Sequence, residues 1–270
     1  MYLTKIINGV EICYDECGST DGPALVLLTG WAHDIALYDE LLPHLASKYW
    51  VVRVCWRGHG PRRDPLPDFG VQEQVSDTIG LLESLDVDKF SIVSHSHGGW
   101  PALDIADQLG KDRVLSVLMI DQIMTPPPPF AAGLQAMQRK DSWRAARKDL
   151  FANWGANSNN QAVQDHFVYN MASFGFAMWA LSCRVIRDAY ERHGSPMGRM
   201  EKMESPPLIL HVFSHPLDDL DYRRMHEEFR ARHSWFSYAD LKGETHFPDI
   251  EIPGRVAEHI DDLVRMRNKL

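Results

Sequence analysis

The chain predicts an α/β fold: an eight-stranded, mostly parallel sheet with helices on both faces and a helical insertion after the sixth strand. Three observations carry that expectation. Short apolar runs alternate with amphipathic stretches across residues 24–120, the rhythm of strand–helix–strand units. The runs Ala24–Leu28, Trp50–Val54 and Val114–Ile120 are almost continuously apolar, as strands buried on both faces require. The segment from Phe90 to Trp100 then reads in succession as strand, sharp turn and helix.

Taken in order, Leu3–Ile7 and Val10–Cys17 read as two strands joined by an Asn8-Gly9 hairpin turn. Asp21-Gly22-Pro23 breaks the chain before the strand Ala24–Leu28, whose end opens into the loop Thr29-Gly30-Trp31-Ala32-His33-Asp34. A helix is expected over 36–48, followed by the strand Trp50–Val54 and the loop Trp56-Arg57-Gly58-His59-Gly60. A proline-rich connection over 61–70 leads into a helix over 71–85. The strand beginning at Phe90 and a helix from about Trp100 to Leu109 follow, and Val114–Ile120 delivers Asp121 at its carboxyl end. Pro126-Pro127-Pro128-Pro129 cannot continue a helix or a central strand. Between about 130 and 204 only helical signals occur, rich in Met and aromatic residues. Ser205-Pro206-Pro207 closes that segment. Strands resume at Leu208–Phe213 and over 235–241, and a C-terminal helix starts near Arg255. The expected division is a core of residues 1–124 and 205–270 with a helical cap of residues 125–204.

At 270 residues with 44% hydrophobic side chains, the chain supports one sizeable domain with an insertion. A formal charge of -9 argues against a nucleic-acid surface, which needs clustered positive charge. No apolar run approaches membrane-spanning length, and the first residues lack a basic stretch followed by an apolar one. Cys13, Cys17, Cys55 and Cys183 are too few and scattered for a disulfide scaffold, so a reducing, cytoplasmic compartment is expected. The expected partners are small molecules, with neither nucleic acid nor membrane, and the chain is expected to be a monomer or small homo-oligomer.

The chemistry concentrates at Ser94-His95-Ser96-His97-Gly98. A nucleophile elbow places its middle residue on a tight turn, so the residues two before and two after it must be small. Ser94 and Gly98 meet that need, with Ser94 departing from the usual glycine. Ser96, then Asp121, then His246 is the chain order of the α/β-hydrolase fold. Its ordinary use would be acyl transfer: Ser96 attacks, His246 takes the proton, Asp121 orients the imidazole, and N–H groups near Trp31 and His97 hold the oxyanion. Asp218 or Asp219, after the strand ending at Phe213, is the commoner place for the acid, and spacing alone leaves both placements open.

Longer words narrow the choice. The chain carries Val-Ser-His-Ser-His-Gly-Gly-Trp around Ser96, Gly-Trp-Ala-His-Asp from Gly30, Trp-Arg-Gly-His-Gly from Trp56, Trp-Phe-Ser-Tyr-Ala from Trp235 and Thr-His-Phe-Pro around His246. Together these closely resemble the cofactor-independent 2,4-dioxygenases of 3-hydroxy-4(1H)-quinolones, a branch of the α/β-hydrolase fold. Within that branch the chain is similar to those that degrade the Pseudomonas quinolone signal, 2-heptyl-3-hydroxy-4(1H)-quinolone.

The resemblance implies ring cleavage by O2 with release of carbon monoxide, giving an N-acylanthranilate without metal, flavin or other cofactor. It implies that His246, backed by Asp121, removes the 3-hydroxyl proton, a task suited to an imidazole with an ordinary pKa of about 6.5. It makes Ser96 a hydrogen-bonding member of the site rather than a nucleophile. Trp31, His33 and His97 match family positions that contact the organic substrate or the developing oxyanion, and Trp154 matches a cap tryptophan. Plain structural roles compete at several positions: His33 as a cap for the helix after Asp34, His95 as a turn residue facing away from Ser96, Asp121 as a turn cap, and Arg57 as a loop brace. A metal site built from His95, His97, His246 and Asp121 is a further, weaker reading.

Overall fold

A computed structural model describes residues 2–61, 63, 68–126, 131–155, 158–214 and 219–267. Eight strands form one sheet: β1 (Leu3–Ile7), β2 (Val10–Cys17), β3 (Ala24–Leu28), β4 (Trp50–Val54), β5 (Phe90–His95), β6 (Val114–Ile120), β7 (Leu208–Phe213) and β8 (Phe236–Asp240). Their spatial order is β1-β2-β4-β3-β5-β6-β7-β8. The β1–β2 hairpin and the β2–β4 pair are antiparallel, and every later pair is parallel. Asn8 and Gly9 both take positive φ in the hairpin turn, as a two-residue turn of this hand demands.

The helices are α1 (Leu42–Leu45), α2 (Val71–Ser84), α3 (Gly99–Leu109), α4 (Ala131–Met137), α5 (Trp143–Gly155), α6 (Gln161–Asp165), α7 (Phe176–His193), α8 (Pro196–Met200), α9 (Leu220–Arg232), α10 (Pro248–Glu251) and α11 (Pro253–Arg267). Two apolar clusters sandwich the sheet. One joins α2, α3, α8 and α9 to Val26, Val52, Ile92 and Val117. The other joins α1, α11 and the insertion helices α4–α7 to Leu25, Leu27, Val51, Val93 and Leu118. Alternate residues of a strand thus enter opposite clusters, which is why these runs are apolar throughout. Burying each such Val or Leu is worth roughly 1.5–3 kcal/mol.

The expected helix over 36–48 is broken instead. A 3-10 turn, Ile35–Tyr38, capped by the Asp34 carboxylate accepting from the Ala36 amide, precedes the short α1, where Pro43 sits in the first turn. The C-terminal helix starts two residues earlier than expected, and β8 loses a residue at each end. Between β6 and β7 every described regular element is helical, and a single π-helical turn, His166–Asn170, follows α6. Pro127–Pro129 of the proline run lie outside the described residues. Among the described residues no helix is long and apolar enough to cross a membrane.

Candidate active site

The carboxyl ends of β3, β5 and β6 deliver residues 29–34, Ser96 and Asp121 to one edge of the sheet, as parallel sheets do. Ser96 opens a 3-10 turn between β5 and α3 at φ 48°, a left-handed conformation that a side chain adopts only under constraint. Gly98 is required by contact: a Cβ there would lie 2.5 Å from the Thr29 carbonyl oxygen and 2.8 Å from that of Leu28. The small residue two places after Ser96 therefore lets α3 start hard against the end of β3.

His246 lies in the loop between β8 and α10. Glu251 clamps that loop, its carboxylate accepting from the Glu244 and Thr245 amides and from the Thr245 hydroxyl at 2.8–2.9 Å. The His246 Nε2 atom is 3.0 Å from Ser96 Oγ, and Nδ1 is 3.3 Å from Asp121 Oδ1. Asp121 is buried, has φ 49°, and accepts from the Ser214 amide at 2.8 Å through its other oxygen. Of the competing acids, Asp219 caps α9 by accepting from the Tyr222 amide at 2.9 Å, and Asp218 lies outside the described residues. Asp121 is thus the acid found beside His246. A carboxylate at Nδ1 favours a proton there, which leaves the Nε2 lone pair facing Ser96 as the basic atom.

The walls are aromatic. Trp154, from α5, stacks on His246 with centroids 4.5 Å apart, and its carbonyl accepts from the His246 amide at 3.2 Å. Trp31 packs edge-on against Trp154 and Trp179, with centroids 5.9 and 5.1 Å apart. Phe247 packs between His33, His95 and Trp154.

The neighbouring imidazoles of His33 and His97 are biased toward the neutral form. Burial, reinforced by neighbouring imidazoles, pushes His33 well below its ordinary range and lowers His97 to about 3. His97 Nε2 lies 3.4 Å from Gln74 Oε1, at hydrogen-bonding reach across to α2. His33 does not cap a helix; Asp34 does, and His33 Nδ1 meets His166 Nε2 at 2.8 Å. His95 plays a structural part, its Nε2–H donating to the His246 carbonyl at 2.8 Å. Arg57 braces two elements by pairing with Asp77 on α2. Among the described residues no group of three or more His, Cys, Asp or Glu side chains is arranged to hold a metal ion. A separate groove of about 500 Å³ beside α2, α3 and α7, lined in part by Phe69, Trp100 and Arg184, contains none of these side chains.

Sequence reasoning missed Gln74, His166, Trp179 and Phe247. Phe247 sits inside a word quoted above and Gln74 inside the helix expected over 71–85, yet no spacing marks them. His166 and Trp179 lie in a helical segment where a lone His or Trp carries no signal.

A sequence model of the alpha/beta hydrolase family matches residues 25–259. The 2-heptyl-3-hydroxy-4(1H)-quinolone dioxygenase of Mycobacteroides abscessus is 51% identical over 98% of both chains. The 1H-3-hydroxy-4-oxoquinoline 2,4-dioxygenase of Pseudomonas putida is 35% identical over 96% of this chain and 98% of its own. A solved structure of an AqdC variant in complex with its substrate, from work on recognition and ring cleavage of the Pseudomonas quinolone signal, superposes with a TM-score of 0.95. It shares 50% identity and covers 98% of this chain and 99% of that one. With the elbow, the His246–Asp121 pair and this likeness end to end, the chain belongs to the hydroxyquinolone dioxygenase family, a branch of the alpha/beta hydrolases.

Proposed function

We propose that this chain is an oxidoreductase, a cofactor-independent 2,4-dioxygenase that opens the heterocyclic ring of 2-heptyl-3-hydroxy-4(1H)-quinolone. One atom of O2 goes to C2 and the other to C4. C3 leaves as carbon monoxide, and the organic product is N-octanoylanthranilate. The observation that carries this reading is the His246–Asp121 pair facing Ser96 under the Trp154 indole, in a chain alike over its whole length to hydroxyquinolone dioxygenases.

His246 Nε2 takes the 3-hydroxyl proton, and Asp121 favours the imidazolium that forms. Triplet O2 reacts poorly with closed-shell molecules, but the quinolone anion is electron-rich enough to react with it. The protein's tasks are then to make the anion, orient it and keep it dry. Ser96 hydrogen-bonds within the site. His97 and His33, neutral because buried, offer N–H donors to the ring's oxygens, while Trp31 and Trp154 wall the pocket. The insertion helices of residues 125–204 serve as the cap, and α5 brings Trp154 onto the base. Four unpaired cysteines fit a reducing cytoplasm. We place the protein there as a monomer or small homo-oligomer.

Oxygen uptake and carbon monoxide release, measured side by side with the 2-heptyl and 2-methyl quinolones, test the reading. The 2-heptyl compound should be consumed with one CO per O2. Absence of uptake with both compounds would overturn it.

A further inference from the structure

His33 and His166 come from different parts of the fold, one on the loop after β3 and the other on the π-helical turn following α6. Their rings lie 21° from parallel with centroids 4.9 Å apart, and Nδ1 of His33 meets Nε2 of His166 at 2.8 Å. Only one proton fits between two ring nitrogens at that distance. Both rings are buried, and burial holds His33 well below its ordinary range and His166 at about 3, so the pair shares the bond as two neutral imidazoles. In the arrangement with both rings in the Nε2–H form, which a free imidazole side chain favours, His166 donates and His33 accepts. The N–H of His33 then stands on Nε2, the atom that His166 does not occupy.

The same junction is tied at further points. Asp34 accepts from the Asn170 amide group at 2.6 Å and pairs with Arg63 at 2.6 Å, and Arg63 reaches Ser173 at 3.1 Å. Phe247 packs against both imidazoles, with centroids 5.5 Å away in each case. The His33 ring is thus held in place, with His166 Nε2 at its Nδ1.

We propose that His166 is a positioning residue for the ring-cleavage reaction: by donating its Nε2–H to His33, it presents the His33 N–H to an oxygen of the bound quinolone. This rests on the reading of His33 as a substrate contact. No spacing in the sequence links the two residues, which are 133 positions apart.

Steady-state oxygen uptake with 2-heptyl-3-hydroxy-4(1H)-quinolone on His33→Ala, His166→Ala, His166→Gln and the double alanine variant tests it, together with proton NMR of imidazole N–H signals. Losing one such hydrogen bond corresponds to roughly a tenfold effect. His166→Ala should therefore raise KM about tenfold with kcat changed far less. His166→Gln, whose amide can still donate, should recover most of the loss. In the His33→Ala background, removing His166 should change little further, because the interaction it served is gone. One downfield imidazole N–H signal should vanish in both single alanine variants, a readout independent of turnover and of modest loss of stability. If His33→Ala alone leaves KM and kcat untouched, the reading of His33 as a substrate contact falls and the proposal with it. If His33→Ala impairs binding but His166→Ala is silent, or the two losses multiply in the double variant, the reading stands and the role of His166 is overturned.

Discussion

Trp154 lies over His246 with the two ring planes 25° apart, and its own carbonyl holds the His246 backbone amide. The insertion thus contributes directly to the site. A residue of α5 fixes both the ring and the main chain of His246, and it occupies one face of the imidazole with apolar surface.

Replacing Trp154 by Phe should keep a stacked ring and cost about two- to tenfold in kcat/KM, the range expected for altering one aromatic pair. Trp154→Ala should cost more, because it also opens that face to water. Oxygen uptake kinetics check the order. Equal activity in wild type and Trp154→Ala would show that the stack does not support the base.

The elbow geometry predicts an unequal ranking for the three central residues. His246→Ala should lower kcat by about 10²–10⁴, the usual contribution of a positioned general base. Asp121→Asn, which keeps the shape but not the charge, should lose less, and the loss should shrink as pH rises and substrate ionises unaided. Ser96→Ala should retain a large part of turnover, since no covalent bond to its oxygen is required. Loss of several orders of magnitude in Ser96→Ala with intact binding would mean nucleophilic catalysis instead.

Acid should destabilise the fold well above the carboxylate range. His97 and His166 are lowered to about 3 and His59 and His226 to about 4, in each case chiefly by burial. The unfolded chain, with imidazoles near 6.5, binds protons first. The stability these groups contribute is thus complete above about 6.5 and is lost as pH falls toward 4, each by up to ~1.4 kcal/mol per pH unit. Thermal unfolding across that window should show a steep fall in the midpoint. A flat profile would mean that these rings are not buried neutral in solution.

Asp249 has the opposite sign. Its carboxyl is fully buried at the start of α10, no side chain among the described residues hydrogen-bonds to it, and His95 Nε2 stands 4.0 Å from its Oδ1. Burial pushes its pKa well above the ordinary value, so its contribution is present below about 4 and lost as pH rises through the folded-state value. Asp249→Asn cannot ionise. Its unfolding midpoint relative to wild type should climb as pH is raised, and a difference independent of pH would show that Asp249 is charged in the fold.

Gly98→Ala should damage the elbow rather than only the helix. The added methyl would stand 2.5 Å from a backbone oxygen that cannot move aside without shifting the end of β3. Overpacking of this kind costs about 1–3 kcal/mol. The expected outcome is a lower unfolding midpoint together with lost turnover, read by calorimetry and oxygen uptake on the same preparation.

The sheet was legible from the chain alone because burial on both faces forces continuous apolar runs, and the strands found follow those runs nearly residue for residue. The elbow was legible for a steric reason: only a small residue fits at position 98. Ser96, Asp121 and His246 follow β5, β6 and β8, parallel strands whose carboxyl ends share one edge of the sheet. Pairing was another matter. Whether Asp121 or an acid after β7 stands behind His246 depends on side-chain direction at two strand ends, and only the folded chain puts Asp121 at 3.3 Å. The partner of His33 comes from the insertion and that of His97 from α2, 133 and 23 positions away, where local pattern carries no record of contact. Periodicity and sterics act between neighbours in sequence, so one chain reveals its strands and turns. Hydrogen bonds between distant elements depend on how those elements pack, and that was decided by the tertiary structure.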